Sequence, residues 1–152
     1  MTDVITCTKC ATRNRVPVAA SGTPRCGRCQ ADLPWLANVN AGEFDQVVAS
    51  SALPVLVDLW APWCGPCRAL APVLEELSRS RAGTLRIVKV NVDDEPLVSS
   101  RLGVQGIPLM LLYVNGREID RQVGAMPGAG IARWIDASLA AATSAGHLKP
   151  EA

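Results

Sequence analysis

Several things are missing from this 152-residue sequence, and each absence closes off a class of function. No run approaches the roughly 20 apolar residues that a spanning helix requires, so no association with a membrane is expected. The first 30 residues hold no apolar leader, and the sequence by itself reads as a soluble, cytoplasmic protein. Net charge is nearly absent: 15 Lys and Arg stand against 14 Asp and Glu, with a single His, which gives no overall attraction for nucleic acid or acidic lipid. There is no Gly-x-Gly-x-x-Gly turn, so no bound nucleotide is expected. No internal repeat occurs beyond the spacing of the cysteines.

That spacing is what the chain does have. Six cysteines form three Cys-x-x-Cys pairs, Cys7/Cys10, Cys26/Cys29 and Cys64/Cys67. A reducing cytoplasm keeps ordinary thiols unpaired, so spaced pairs there point to metal binding or catalysis rather than to structural disulfides. The surroundings of the three pairs differ. Residues 1–33 are polar and rich in cations (Lys9, Arg13, Arg15, Arg25, Arg28), with Pro17, Gly22 and Pro24 as breakers, and they cannot bury a core unaided. The length accommodates this segment plus one domain of about 100 residues. We expect a small module over 1–33, a domain over 34–143 and a frayed tail over 144–152.

From Leu33 onward, apolar runs of strand character alternate with helical ones, which defines an α/β sheet domain. Strands are expected over 35–39, 55–60, 85–92, 109–114 and 118–123, the last two flanking the hairpin signal Asn115-Gly116. Helices are expected to follow Asn40 as N-cap, to start at Cys64-Gly65-Pro66-Cys67 and carry Leu70, Val73, Leu74 and Leu77 on one face, and to cover 96–102 and 129–142. Pro72 lies inside the second helix and removes one backbone donor.

Two cysteines on the first helical turn are close enough to close a small disulfide ring. The unpaired N–H groups and partial positive charge of the helix start favour the thiolate of the leading one. Cys64 is therefore the expected nucleophile, at the exposed start of the turn, and Cys67 the thiol that resolves the mixed disulfide. Gly65-Pro66 between them offers no side chain to stabilise the thiolate further, which favours a reductant over an oxidant. Asp58, six residues upstream in an apolar strand, is a carboxylate whose burial demands a raised pKa or a partner.

The segment Val57-Asp58-Leu59-Trp60-Ala61-Pro62-Trp63-Cys64-Gly65-Pro66-Cys67-Arg68, with Ala71-Pro72 after it, resembles the active-site signature of the thioredoxin family, over roughly residues 35–142. The resemblance implies the thioredoxin fold, a central mixed sheet flanked by helices. It implies that Asp58 is the buried acid beneath the dithiol and that Lys89 modulates it from the neighbouring strand. It also implies a cis peptide at Pro108, where the backbone of Ile107 pairs with substrate, and a flat apolar surface formed by Trp63, Gly65, Pro66, Ile107, Gly124 and Ala125. Leu109 stands where the family usually has Thr. Trp60 and Trp134 read as packing residues.

Cys7-x2-Cys10-x15-Cys26-x2-Cys29 has the spacing of a closed four-thiolate zinc ribbon, structural rather than catalytic. Iron in the same cage and two further disulfides remain alternatives. With Asn14-Arg15-Val16-Pro17, this head resembles the N-terminal zinc module of the bacterial thioredoxin-2 type. The resemblance then implies a monomeric thiol–disulfide oxidoreductase that reduces protein disulfides and is recharged by an NADPH-dependent thioredoxin reductase. The competing readings are an oxidase or isomerase on the same fold, and a zinc-ribbon adaptor or redox sensor in which the second domain is secondary.

Overall fold

The structure is a computed structural model that describes residues 2–20 and 22–144. The expected tail lies outside the described residues from position 145 onward. The chain begins with an antiparallel hairpin, β1 (Thr2–Thr6) and β2 (Arg13–Pro17). There follow β3 (Leu36–Asn38), α1 (Ala41–Ser50), β4 (Val55–Trp60), α2 (Gly65–Ser80), β5 (Arg86–Asn91), α3 (Pro96–Arg101), β6 (Leu109–Val114), β7 (Arg117–Val123) and α4 (Gly128–Ser144). The main sheet has the order β3-β5-β4-β6-β7, with β3, β5 and β4 parallel and β6 and β7 antiparallel to them, so the expected mixed sheet is present.

Local chemistry sets the boundaries. Asn40 and Glu43 form a reciprocal capping box at the start of α1, with bonds of 2.9 and 3.0 Å. The turn between β6 and β7 places both Asn115 and Gly116 at positive φ, 52° and 79°, as a two-residue hairpin of this hand requires. Helix α2 runs unbroken past Pro72. Leu109, which stands where the resembled family usually has Thr, is buried and pairs with Leu59 on one side and Val123 on the other.

Alternation along β4 divides the core. Val55, Val57 and Leu59 face α1 with Phe44, Val47, Val88 and Val90, whereas Leu56 faces α2 and α4 with Leu70, Leu74, Ile87, Ile131 and Ile135. Asp58, two residues beyond Leu56, lies on that second face. Each fully buried Leu or Ile contributes about 2 kcal/mol, so burial on both faces holds the sheet between its helices.

The cysteine-rich head packs on the opposite end of β4 from Cys64. Its apolar cluster, Ile5, Cys7, Val16, Cys26 and Leu33, is completed by Trp35 and Leu53, consistent with a segment too small to form a core alone. The fully buried guanidinium of Arg86, the first residue of β5, lies 3.6 Å from the centre of the Trp35 ring and donates to the carbonyls of Val18 and Ala20. Burial pushes Arg86 down to about 10, which still leaves it charged at neutral pH. Nearby, Gly83 at φ +84° brings its backbone so close to Asp32 that a Cβ would sit 2.5 Å from a carboxylate oxygen. Replacing Arg86 with Leu leaves two carbonyls without a donor, and urea unfolding should show a loss of about 2–4 kcal/mol. A change below about 0.5 kcal/mol would contradict this role.

Candidate active site

Cys64 is the N-cap of α2, and its Sγ accepts the N–H of Cys67 at 3.2 Å. The two are joined as a disulfide with Cα atoms 5.2 Å apart. The sequence places Cys64 at an exposed position, but the residue is only 6% exposed and Cys67 2%. Ala61, Trp60, Val92 and Ile107 pack around the pair, because the loop folds back with Cys64 N–H on Ala61 O at 3.1 Å. The Ile107–Pro108 peptide is cis, and the carbonyl oxygen of Ile107 lies 3.9 Å from Cys64 Sγ.

Asp58 is fully buried, and neither carboxylate oxygen has a hydrogen-bond partner among the described residues. Burial raises it to about 6, and the positive charge of Lys89 works in the opposite direction. Lys89 is its register partner on the parallel strand β5, so both side chains leave the sheet on one face; the ammonium sits 4.7 Å from the centre of the Trp60 ring. Trp63 is 67% exposed, and its indole N–H donates to Asp93 at 3.0 Å. Gly65, Pro66 and Ala125 are exposed, while Ile107 and Gly124 are half-buried. Sequence reading missed Asp93, since nothing in the run Asp93-Asp94-Glu95 marks which carboxylate an indole will use.

The other four cysteines meet elsewhere, with Sγ atoms all within 4.8 Å of one another. Cys7–Cys29 and Cys10–Cys26 approach to 3.5 Å, against an edge of about 3.8 Å for a tetrahedron of sulfurs at the zinc–thiolate bond length. Both pairs adopt one conformation. In each the first cysteine receives the N–H of the residue four positions on at 2.9–3.0 Å, and that residue, Ala11 or Gln30, has positive φ. The N–H groups of Lys9 and Arg28 point at Cys7 Sγ and Cys26 Sγ, both at 3.4 Å. Backbone donation from Cys29, joined by Arg28, draws the Cys26 thiol down to about 6, whereas Cys29, against the backbone donor of Ala31, is pushed up to about 11 by the other three sulfurs and by burial, so the four do not all ionise readily without a cation between them. The sequence marks Asn14 only as part of the resemblance to a zinc module. Its side chain accepts from Gly27 N at 2.9 Å and donates to Thr12 O at 3.1 Å, tying the two knuckles together. The donor set therefore fits a tetrahedral metal ion.

A dithiol that closes to a disulfide at a helix start, with a buried acid on the same sheet face, passes two electrons to or from another disulfide. Such chemistry makes the protein a thiol–disulfide oxidoreductase. Comparison with known proteins agrees: the thioredoxin family model matches residues 35–137. The chain is 46% identical over 99 residues to a thioredoxin of Haemophilus influenzae, covering 65% of this chain and 92% of that one. It is 43% identical over 103 residues to thioredoxin 1 of Synechococcus elongatus, covering 68% and 96%. An M-type chloroplastic thioredoxin of Pisum sativum is 41% identical over 98 residues, 64% of this chain and 57% of that one. The chain belongs to the thioredoxin family. The cysteine cluster lies ahead of the matched residues.

Asp58 offers a test of the site's electrostatics. Its carboxyl is raised from the ordinary value to about 6, so the group favours the folded state at low pH. That contribution is complete below about pH 4 and is lost as pH rises through about 6, amounting to about 3 kcal/mol. Asp58→Asn should therefore be more stable than the parent at pH 8 by up to about 3 kcal/mol and nearly equal to it at pH 4. Parallel urea titrations at the two pH values check this; an equal difference at both would remove the buried-acid reading.

Proposed function

We propose that the protein reduces disulfides in other proteins, with Cys64 as the attacking thiolate and Cys67 as the resolving thiol. The observation that carries the reading is the N-cap position of Cys64, where its sulfur already accepts an amide N–H. In the reduced form the Cys64 thiolate attacks one sulfur of the substrate disulfide, forming a mixed disulfide and releasing the other substrate sulfur as a thiolate. Cys67 then loses its proton to Asp58 and attacks Cys64, which releases the second substrate thiol and closes the Cys64–Cys67 disulfide. Two electrons pass to the substrate. The raised proton affinity of Asp58 supports its role as acceptor, and the position of Lys89 supports a modulating one.

Substrate would lie against Trp63, Gly65, Pro66, Ile107, Gly124 and Ala125, with the backbone of Ile107 pairing beside cis-Pro108. The oxidised pair would be returned to the dithiol by an NADPH-dependent thioredoxin reductase, nucleotide and flavin residing on that partner. The four remaining cysteines would hold one structural zinc, as a complete thiolate set leaves no open position. Tetrathiolate zinc and a free dithiol both suit a reducing cytoplasm, and we take the protein to act there as a monomer. No helix among the described residues is long and apolar enough to cross a membrane.

The test is turnover of an insulin-type protein disulfide with thioredoxin reductase and NADPH. Cys64→Ser should abolish it, at least a thousand-fold, whereas Cys67→Ser should accumulate a mixed disulfide through Cys64, identifiable by mass. Full turnover by either variant would overturn the assignment.

A further inference from the structure

Four large apolar side chains are exposed among the described residues, and three of them lie at one end of the main sheet: Trp63 at 67%, in the loop before the dithiol, Val123 at 60%, the last residue of β7, and Leu97 at 83%, in the first turn of α3. The register shows why they share that end. Trp60, where β4 stops before the dithiol, pairs with Asn91, where β5 stops before α3; Leu59 pairs with Leu109, which pairs in turn with Val123. Trp63 and Val123 flank the dithiol and the cis-proline loop. Leu97 belongs to neither and has no part in the site described above.

The turn that leads into α3 and Leu97 is nonetheless built into the wall of the site. Val92 packs against the cluster containing Cys64 and Cys67, and Asp93 accepts the indole N–H of Trp63. The N–H groups of Asp94 and Glu95 both bond to Asn91 O, at 3.1 and 3.0 Å, turning the chain tightly at the end of β5. Pro96 then starts α3, in which Val98 is buried and Leu97, one residue before it, points outward. Burial of Val98 is what the fold needs from this turn; an outward Leu beside it serves no core. Asp93, Asp94 and Glu95 have no ion-pair partner among the described residues, whereas Arg101 and Arg121 farther along the same side are neutralised by Asp45 and Glu118. The opposing rim, on the first turn of α2, carries the exposed Arg68.

We infer that Leu97 extends the substrate-docking surface beyond Trp63 and selects disulfide-containing proteins that present an apolar side chain flanked by Lys or Arg on that side of the disulfide. The inference rests on the proposed reductase reading and deepens it. Contact with substrate disulfide is left to Trp63 and the cis-proline loop, while Leu97 binds ground state and transition state alike. Its loss should therefore appear in KM and not in kcat.

The experiment uses the full chain and two disulfide peptides that differ only in an apolar segment flanked by Lys or by Glu, with bis(2-hydroxyethyl) disulfide as a small control. Leu97→Ser should raise KM for the Lys-flanked peptide about ten-fold at unchanged kcat, change KM for the Glu-flanked peptide less than two-fold, and leave the small disulfide unaffected. For the parent, 0.5 M salt should raise KM for the Lys-flanked peptide only. Since Leu97 is solvent-exposed, the unfolding midpoint of the variant should match the parent. Equal KM for parent and Leu97→Ser on the Lys-flanked peptide would overturn the inference while leaving the reductase reading intact. A parent unable to reduce even the small disulfide would overturn both.

Discussion

The parallel ladder between β4 and β5 is the constraint on which both ends of this molecule depend. Its register, Val55 with Arg86 through Trp60 with Asn91, fixes Asp58 beside Lys89 and aims both at the face covered by α2. At its far end it delivers the chain into the loop that makes Cys64 the cap of α2. At its near end it plants Arg86 under Trp35 and the carbonyls of Val18 and Ala20, so the same pair of strands seats the cysteine-rich head. A shift of one residue along the ladder would turn Asp58 toward α1 and take Arg86 away from Trp35.

Three pairs with one spacing divide because their sulfurs meet different surroundings. Cys64 and Cys67 have only each other, the N–H groups of a helix start and an apolar wall, so their chemistry is to gain or lose a shared bond. Cys7, Cys10, Cys26 and Cys29 converge as two copies of one knuckle, with backbone donors aimed at Cys7 and Cys26, an arrangement that suits a cation between the sulfurs. The two centres stand at opposite ends of β4, a strand of six residues. The head therefore leaves the surroundings of the dithiol open, and a metal held by its four cysteines would complete a core that Trp35 and Leu53 share.

Much of this was legible from residues alone, for identifiable reasons. The period-two and period-three-or-four patterns are strong where burial is one-sided, and they located the sheet, the helices and Asn115-Gly116 to within a residue or two. The segment around Cys64 was specific enough to indicate the chemistry, and the apolar strand around Asp58 signalled its burial. The unread features depend on partners distant in sequence. Arg86 looks like an ordinary solvent-facing cation at a strand end; only the docking of the head, some 66 residues away, buries it. Leu97 reads as one more apolar helix residue until Val98 is seen to take the core position. The low exposure of Cys64 follows from the way Ala61, Val92 and Ile107 converge, which no local pattern contains.

The division of six cysteines into one redox pair and one metal cage is the central claim about this molecule. The most direct measurement is to equilibrate the full chain in dithiothreitol redox buffers of graded potential, then quench, map disulfides by peptide mass and assay bound metal in the same samples. A single two-electron transition assigned to Cys64–Cys67 is expected, with one zinc retained throughout it and Cys7, Cys10, Cys26 and Cys29 unoxidised. A transition that maps to any of those four, or zinc released in step with closure of the Cys64–Cys67 disulfide, would contradict that division.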